Sequence, residues 1–357
     1  MLRPGWAQRP APARMASVDP IAALRRTAFL LERSGASTYR VQAFRTAALA
    51  LAGLPPDELD RRIAGRSLTD IDGVGPRTAG VVAEAVAGRV PDYLADLEAA
   101  AGPLAEGGEE VLAALRGDLH SHTDASDGGS PLAEMAVTAI ELGREYQAVT
   151  DHSPRLKIAN GLSAHRLRGQ LALVATVRPR LEPFRLLTGI EVDILDDGQL
   201  DQEPDLLDEL DVVVASVHSK LRMERPAMTR RMLAAVRNPR VDVLGHCTGR
   251  QVTGKHRPES EFDAAAVFAA CAENGVAVEI NCRPDRLDPP RRLLRQAVEA
   301  GCLFSIDTDA HAPGQLDWLA RGAARAAECE VPIERIVTTW PVDDLLAWTR
   351  DRTLPTG

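Results

Sequence analysis

Two histidines and three carboxylates lie close together in residues 118–128. His120 and His122 are two residues apart, so on a β-strand their side chains point to the same face. Asp118, Asp124 and Asp127 add carboxylate oxygens beside these imidazoles. Because a mixed set of nitrogen and oxygen ligands suits Zn, Mn or Fe, this stretch predicts part of a metal centre.

Further polar residues stand at the ends of short apolar runs later in the chain. Six of the eight histidines hold such positions, and the exceptions are His165 and His256. Each residue taken alone is more often a cap, a turn former or a surface residue than a ligand. Together they favour one metal centre assembled from several strand ends. The residues concerned are Asp151, His152, Glu191, His218, His246, Asp307, Asp309 and His311.

The elements that must position these residues are strands that alternate with helices. Apolar runs lie near 146–150, 186–194, 212–217, 241–244, 276–280 and 303–306. Helical patterns lie near 131–142, 164–180, 227–236, 262–274, 291–300 and 315–327. Repeated strand–helix units predict a parallel sheet, most simply a closed α/β barrel over 117–355. In such barrels the functional site lies at the C-terminal ends of the strands.

The N-terminal part has the pattern of a small all-α domain, at 17–95. A first helix follows Asp19-Pro20, and a second is predicted over Thr38–Ala52. The two helices carry five arginines against the single acidic residue Glu32; they are Arg25, Arg26, Arg33, Arg40 and Arg45. A linker with some helix is expected at 96–116.

A glycine turn precedes the last apolar helix of this domain. Gly73 and Gly75 open the helix, and a helix start of this kind exposes backbone N–H groups that can seat a phosphate. An ordinary corner, in which the glycines serve only the turn, is the alternative. With Arg77 and Thr78, the two glycines are the predicted DNA-binding residues.

Composition excludes several classes of protein. A net charge of −9 argues against a surface that coats nucleic acid broadly, though not against a local site. Five cysteines without C-x-x-C spacing do not indicate a disulfide framework or a structural zinc site, which favours a cytoplasmic location. No apolar run approaches the roughly 18 residues of a membrane span. Residues 1–16 are expected to be a disordered tail, and Met15 is an alternative start to Met1.

The N-terminal domain resembles known DNA-binding modules. Ile71-Asp72-Gly73-Val74-Gly75 resembles the helix-hairpin-helix motif, and residues 38–45 resemble the N-terminal domain of family X DNA polymerases. The resemblance implies DNA as a partner, held by its backbone. Residues 1–156 contain no lysine, so the Schiff-base lyase chemistry of that family has no amine here. About twenty linker residues cannot hold a polymerase palm and thumb, so we expect no templated polymerase activity.

The strand-end residues resemble the polymerase-and-histidinol-phosphatase superfamily, called PHP. Three local runs resemble the version found in bacterial family X polymerases, at 156–162, 245–250 and 279–288. The resemblance implies a distorted (β/α)7 barrel with two to three metal ions, Mn or Zn, with Fe also possible. It implies that His120, His122, Glu191 and Asp309 hold one metal, that Glu191 bridges to a second with His218 and His246, and that Asp127, His152 and His311 hold a third. Many relatives have His where this chain has Asp127.

Substrate contacts are expected just beyond the strand ends. Arg250, Arg283, Lys157 and Lys220 are candidate phosphate contacts, and Asp151 is a further candidate catalytic residue. For each cation, a solvated surface charge is the alternative. Cys247, which adjoins His246, is interpreted as a packing residue.

The sequence is compatible with three functions. The first is a metal-dependent phosphoesterase that acts as a 3′–5′ DNA exonuclease or related end-processing nuclease in DNA repair. The second is a small-molecule phosphomonoesterase of the histidinol-phosphatase type, because the barrel does not determine the substrate. The third is a non-enzymatic DNA-binding module with a degenerate barrel, against which the complete ligand set argues, since buried charges without a task are costly.

Overall fold

The computed structural model describes residues 18–352, which form two compact units that divide between Gly102 and Pro103. The predicted tail at 1–16, the alternative start Met15 and the last predicted barrel residues at 353–355 lie outside the described residues. No helix within 18–352 is long and apolar enough to cross a membrane.

The N-terminal unit is all-helical, as predicted. Its helices are α1 (Pro20–Arg33), α2 (Thr38–Ala52), α3 (Pro56–Ala64), α4 (Pro76–Val86) and α5 (Asp92–Ala100). The Asp19 carboxylate caps α1 by accepting a hydrogen bond from the backbone N–H of Ile21 at 2.9 Å. A buried apolar core that includes Leu24, Leu31 and Phe44 joins the helices.

A buried ion pair ties α1 to α2. Nε of Arg45 lies 2.8 Å from Oε1 of Glu32, and Nη2 lies 2.6 Å from Oε2. The exposed fractions of the two side chains are only 6% and 2%. Arg45 is one of the five arginines of the first two helices, but because it is buried it cannot belong to a surface that contacts DNA.

The second unit is a barrel of seven parallel strands in sequence order. The strands are β1 (Gly117–Asp118), β2 (Tyr146–Val149), β3 (Arg185–Asp193), β4 (Val212–Ser216), β5 (Val243–Leu244), β6 (Ala277–Asn281) and β7 (Leu303–Asp307). Between β7 and β1 the ring is joined by a parallel bridge from Ser121 to Ala310 and by a hydrogen bond from the Leu119 N–H to Oδ1 of Asp307. The predicted seven-stranded (β/α) barrel with a preceding all-α domain is confirmed.

Helices surround the strands. They are α6 (Glu109–Ala114), α7 (Leu132–Glu141), α8 (Ala164–Val177), α9 (Pro204–Leu207), α10 (Arg225–Val236), α11 (Ala264–Asn274), α12 (Arg291–Glu299), α13 (Leu319–Glu328) and α14 (Val342–Asp351). The prediction of one helix over 315–327 was too simple, because a 3-10 helix at Pro313–Trp318 precedes α13. Helix α14 was not predicted.

Apolar side chains fill the barrel from its N-terminal end. Tyr146, Val214 and Trp348 belong to one buried cluster there. Gly117 on β1 must lack a side chain, since a Cβ would lie 2.1 Å from the Tyr146 ring. The N-terminal end is therefore closed by packing, and the polar side chains gather at the opposite end of the strands.

Candidate metal centre

Six of the seven strands bring predicted metal ligands to the C-terminal end of the barrel. His120 and His122 follow β1, His152 follows β2, Glu191 lies within β3, His218 follows β4, His246 follows β5, and Asp309 and His311 follow β7. His120 and His122 lie beyond β1 rather than on it, because the strand ends at Asp118. Their rings still converge, with centroids 5.1 Å apart.

Glu191 stands at the middle of the cluster and turns its two carboxylate oxygens to different histidines. Oε1 lies 2.8 Å from Nε2 of His246 and 3.2 Å from Nε2 of His218. Oε2 lies 3.4 Å from Nε2 of His120 and 2.8 Å from Nδ1 of His152. Glu191 would therefore be shared by the ligand groups that its two oxygens face.

Two further carboxylates complete the cluster. Oδ1 of Asp309 lies 3.3 Å from Nε2 of His122. Oδ1 of Asp127 lies 3.4 Å from Nε2 of His152 and also 3.4 Å from Nε2 of His311. The ligand atoms form three compact groups, namely His122–Asp127–His152–His311, His120–His122–Asp309 and His152–Glu191–His218. The third group contains His152 where the resemblance implied His246, which lies beside Glu191 but outside that group.

The donor set fits divalent cations. Among the described residues, Nε2 of His120 and both ring nitrogens of His122 and His218 are buried with no hydrogen-bond partner. Oε2 of Glu191 has none either, because its 2.8 Å approach to Nδ1 of His152 is not aligned as a hydrogen bond. Buried polar atoms are normally hydrogen-bonded, so a convergent set of unpaired nitrogens around a carboxylate calls for a bound cation. Imidazole and carboxylate together suit Zn, Mn or Fe.

Ligand chemistry needs charged carboxylates and neutral imidazoles. The central carboxylates meet this condition. Burial raises the pKa of Glu191, but His218, His120 and His152 outweigh burial and hold this pKa well below its usual range. For Asp309, burial also raises the pKa, and Arg283 and then His120 more than compensate, so that the carboxyl is ionised. Burial, followed by the charges of the neighbouring histidines, holds the pKa of His122 well below its usual value and keeps the ring neutral. For the imidazoles of His120, His152 and His218, burial lowers the pKa, but the charge of Glu191 outweighs burial and raises it, so a bound cation would displace a proton there.

The predicted catalytic residues are placed at different distances from this cluster. Nη1 of Arg283 lies 3.5 Å from Oδ1 of Asp309 and 3.2 Å from Nδ1 of His311. Arg250 instead donates to the backbone carbonyls of Arg286, at 3.0 Å, and Leu287. Lys157 is exposed at the start of a short 3-10 helix, Lys157–Ala159. Only Arg283 therefore touches the proposed ligands among these three cations.

Asp151 is buried and accepts hydrogen bonds from four donors. These are the N–H of Thr123 at 2.8 Å, its hydroxyl at 2.6 Å, the Ser126 hydroxyl and the Gln170 amide. Thr123 and Ser126 belong to the same loop as Asp127 and precede it in the chain. The position of Asp151 is that of a residue holding a ligand loop against β2.

Sequence reasoning missed several residues that contact the proposed ligands. Oε1 of Glu279 lies 2.6 Å from Nδ1 of His120, and Oδ1 of Asp193 lies 3.4 Å from Nδ1 of His218. Nε of Arg286 lies 3.3 Å from Oδ2 of Asp309. The signal for Glu279 was available, because a carboxylate inside the apolar run 276–280 must find a buried partner.

The predicted DNA-binding turn is a sharp corner before α4. Gly73 has φ +85°, and Gly75 is the N-cap residue of α4 with its N–H donating to the Thr78 hydroxyl at 3.0 Å. Thr78 is buried, and the Arg77 guanidinium lies 5.2 Å from the centre of the Tyr93 ring. Gly73, Gly75 and Arg77 are thus the surface residues of the turn, and Thr78 stabilises it from inside.

Comparison with known proteins agrees with this arrangement. Residues 15–89 match the helix-hairpin-helix domain family, and residues 118–283 match the PHP domain family. The DNA polymerase/3′–5′ exonuclease PolX of Bacillus subtilis is 36% identical over 239 residues, which cover 67% of this chain and 42% of that protein. A probable phosphatase of Serratia proteamaculans is 30% identical over 239 residues, covering 63% of this chain and 90% of that protein.

Among solved structures, a histidinol phosphate phosphatase from Lactococcus lactis, in complex with Zn, L-histidinol and phosphate, covers 59% of this chain and 91% of its own. Its TM-score is 0.42 at 19% identity.

Proposed function

The chain belongs to the PHP domain family, a metal-dependent phosphoester hydrolase family, and from this premise we propose that it is a nuclease that removes nucleotides from the 3′ ends of DNA. The observation that carries the proposal is the union of a helix-hairpin-helix domain and a PHP barrel in one chain. The similarity to the Bacillus PolX protein supports it, although the match spans less than half of that protein.

Divalent ions held by the three ligand groups would neutralise phosphoester oxygens and lower the pKa of a water molecule. The chain's own part is to hold the ligands rigidly. Glu191, His120 and Asp309 are all almost fully buried, so they need little rearrangement when they bind cations. Arg283 and Arg286 add two guanidinium groups beside Asp309. These cations can donate hydrogen bonds to a phosphate and neutralise its remaining negative charge.

A protein nucleophile is not needed for this chemistry. Cys247 lies next to His246, but burial, and then the charge of Asp288, raises the pKa of its thiol well above the usual value. The thiol therefore stays protonated, and the thiolate is the reactive form of cysteine. Its burial agrees with the packing role predicted from the sequence.

The N-terminal unit would hold the DNA backbone. The first turn of α4 presents backbone N–H groups that are next to the exposed residues Gly75 and Arg77. A helix N-terminus attracts phosphate, and contacts of this kind hold DNA without reading its sequence. A soluble phosphatase has no evident need of such a turn.

A small-molecule phosphomonoesterase is the second candidate. It is favoured by the Serratia probable phosphatase, 90% of whose length is matched by this chain. The two candidates share a barrel, so only the substrate separates them.

The test offers the Mn-loaded full chain a 5′-labelled primer–template and, in parallel, a panel of phosphomonoesters. The nuclease predicts a ladder of shortened primers that is lost in His120→Ala and kept in His165→Ala, since His165 is exposed on α8. Hydrolysis of monoesters with the primer left intact would refute the nuclease and establish the phosphatase. A 3′-labelled primer that releases its label first would establish the polarity of cutting.

A further inference from the structure

Strand β6 differs from the other six strands, because within the described barrel it brings none of the nine predicted ligands to the centre. It carries instead two polar residues, Glu279 and Asn281, both with no exposed surface. Since the two are separated by one residue, their side chains lie on the same face of the strand. We infer that β6 is a positioning strand, whose Glu279 and Asn281 hold His120, His246 and Asp309 in the orientation that binds metal.

Glu279 contacts ligands from two other strands. Its Oε1 lies 2.6 Å from Nδ1 of His120, which follows β1. Its Oε2 accepts a hydrogen bond from the backbone N–H of His246, which follows β5. One carboxylate therefore joins two parts of the ligand set that are far apart in the chain.

The contact with His120 selects the tautomer of the ring. If Nδ1–H donates to the Glu279 carboxylate, Nε2 keeps its lone pair free. Nε2 is the atom that points toward the shared ligands, 3.4 Å from Oε2 of Glu191 and 4.0 Å from Oδ1 of Asp309. A carboxylate behind a metal-binding imidazole also makes the ring a more basic ligand.

Asn281 extends the same network to β7. Its amide nitrogen donates to Oε2 of Glu279 at 3.2 Å and to Oδ2 of Asp309 at 3.1 Å. Its amide oxygen accepts from the N–H of Arg283 at 3.1 Å, so every contact agrees with one orientation of the amide. With Oδ2 occupied in this way, Oδ1 of Asp309 is left to face His122.

The strand register explains why β6 can reach these residues. Leu244 of β5 pairs with Val278, so His246, two residues farther on, lies level with the end of β6. Asn281 pairs with Asp307 of β7, two residues before Asp309. Strand β6 therefore lies between two ligand-bearing strands, where a side chain can contact both neighbours.

The inference rests on the proposed metal centre and not on the choice of DNA as substrate, and its test measures metal binding directly. Glu279→Gln keeps the shape of the side chain but replaces one oxygen by an NH2 group. If the amide oxygen stays on His120, this NH2 faces two other donors, the His246 N–H and the Asn281 amide. We expect Mn2+ and Zn2+ to bind about 10- to 100-fold more weakly at the sites that contain His120 and His246.

Asp242→Asn is the matched control. Asp242 is also a buried carboxyl, but it lies just before β5 and contacts the N–H of Val213 and the Arg352 guanidinium rather than a proposed ligand. Metal affinity and stoichiometry are measured by calorimetry, and the rate of metal loss to a chelator is measured alongside. The fold of each metal-free protein is checked by circular dichroism.

A purely structural role for Glu279 predicts a lower melting temperature of the metal-free protein with unchanged metal affinity of the folded protein. That result would overturn the inference. If Glu279→Gln does not fold, Asn281→Ala decides, because it removes the donor to Asp309 without burying a new group. Wild-type metal affinity in a folded Asn281→Ala protein would equally overturn the inference, and an affinity at least about tenfold weaker, with Asp242→Asn unchanged, would support it.

Discussion

Three glycines, two in the turn before α4 and one inside α4, allow the stability of the N-terminal unit and its DNA binding to be tested separately. Gly73 has φ +85°, and a Cβ at this position would lie 2.5 Å from Cγ2 of Thr46. Left-handed backbone costs an L-residue about 1–2 kcal/mol, and Thr46 must also shift. We therefore expect Gly73→Ala to destabilise the N-terminal unit by about 2 kcal/mol.

Gly75 differs from Gly73 in both respects. Its φ is −91°, and no heavy atom lies within 4 Å of the position of an added Cβ. Gly75→Ala should cost less than about 1 kcal/mol, the loss of a favourable N-cap residue. A methyl group at the start of α4 would nevertheless obstruct a DNA phosphate. Loss of one hydrogen bond to that charged phosphate would weaken DNA binding about tenfold. Gly80→Ala, inside α4 and with open space around it, is the control and should leave DNA affinity unchanged.

The assay combines thermal unfolding with fluorescence anisotropy of a labelled DNA duplex at one fixed salt concentration, since phosphate contacts depend strongly on salt. Wild-type DNA affinity in a fully folded Gly75→Ala protein would refute the start of α4 as the phosphate seat. An unchanged melting temperature in Gly73→Ala would refute the strain argument. Equal loss of affinity in Gly80→Ala would show that the effect is not local.

Other expectations follow from the same structure. Glu32→Ala leaves the Arg45 charge buried without this partner and should destabilise the N-terminal unit by about 3–5 kcal/mol in chemical denaturation, and a loss below about 1 kcal/mol would contradict the buried pair. Burial raises the pKa of Asp242 from 3.8 to about 6 against the opposing charge of Arg352, so its stabilising contribution is full below about pH 4 and is lost as the pH rises through 6. Asp242→Asn should therefore flatten the fall in melting temperature between pH 4 and 6, and an unaltered pH profile would exclude this residue as a cause. Metal at about 100 times its dissociation constant should stabilise the barrel by about 2.7 kcal/mol, so a melting temperature that does not change when Mn2+ is added to chelator-treated protein would argue against the metal centre.

The fold class, and the end of the barrel at which polar residues gather, could be predicted from the order of residues alone. Apolar runs such as 212–217 and 303–306 report buried strands, and parallel strands place their C-terminal ends at one edge of a sheet. Residues that follow such runs, including His152, His218 and His246, therefore had to meet. The helix α2 could also be read directly, because its apolar side chains recur at helical spacing.

The contacts between these residues and the orientations of their side chains became visible only in the folded chain. Arg45 looked like the other arginines of its helices until its burial against Glu32 became visible. Glu279 was one residue of an apolar run until it was found 2.6 Å from His120, 159 residues away in the chain. Local periodicity shows which face of an element is buried, but it does not show which side chains meet across a barrel. These contacts depend on strand register and on which distant segments of the chain the fold brings together.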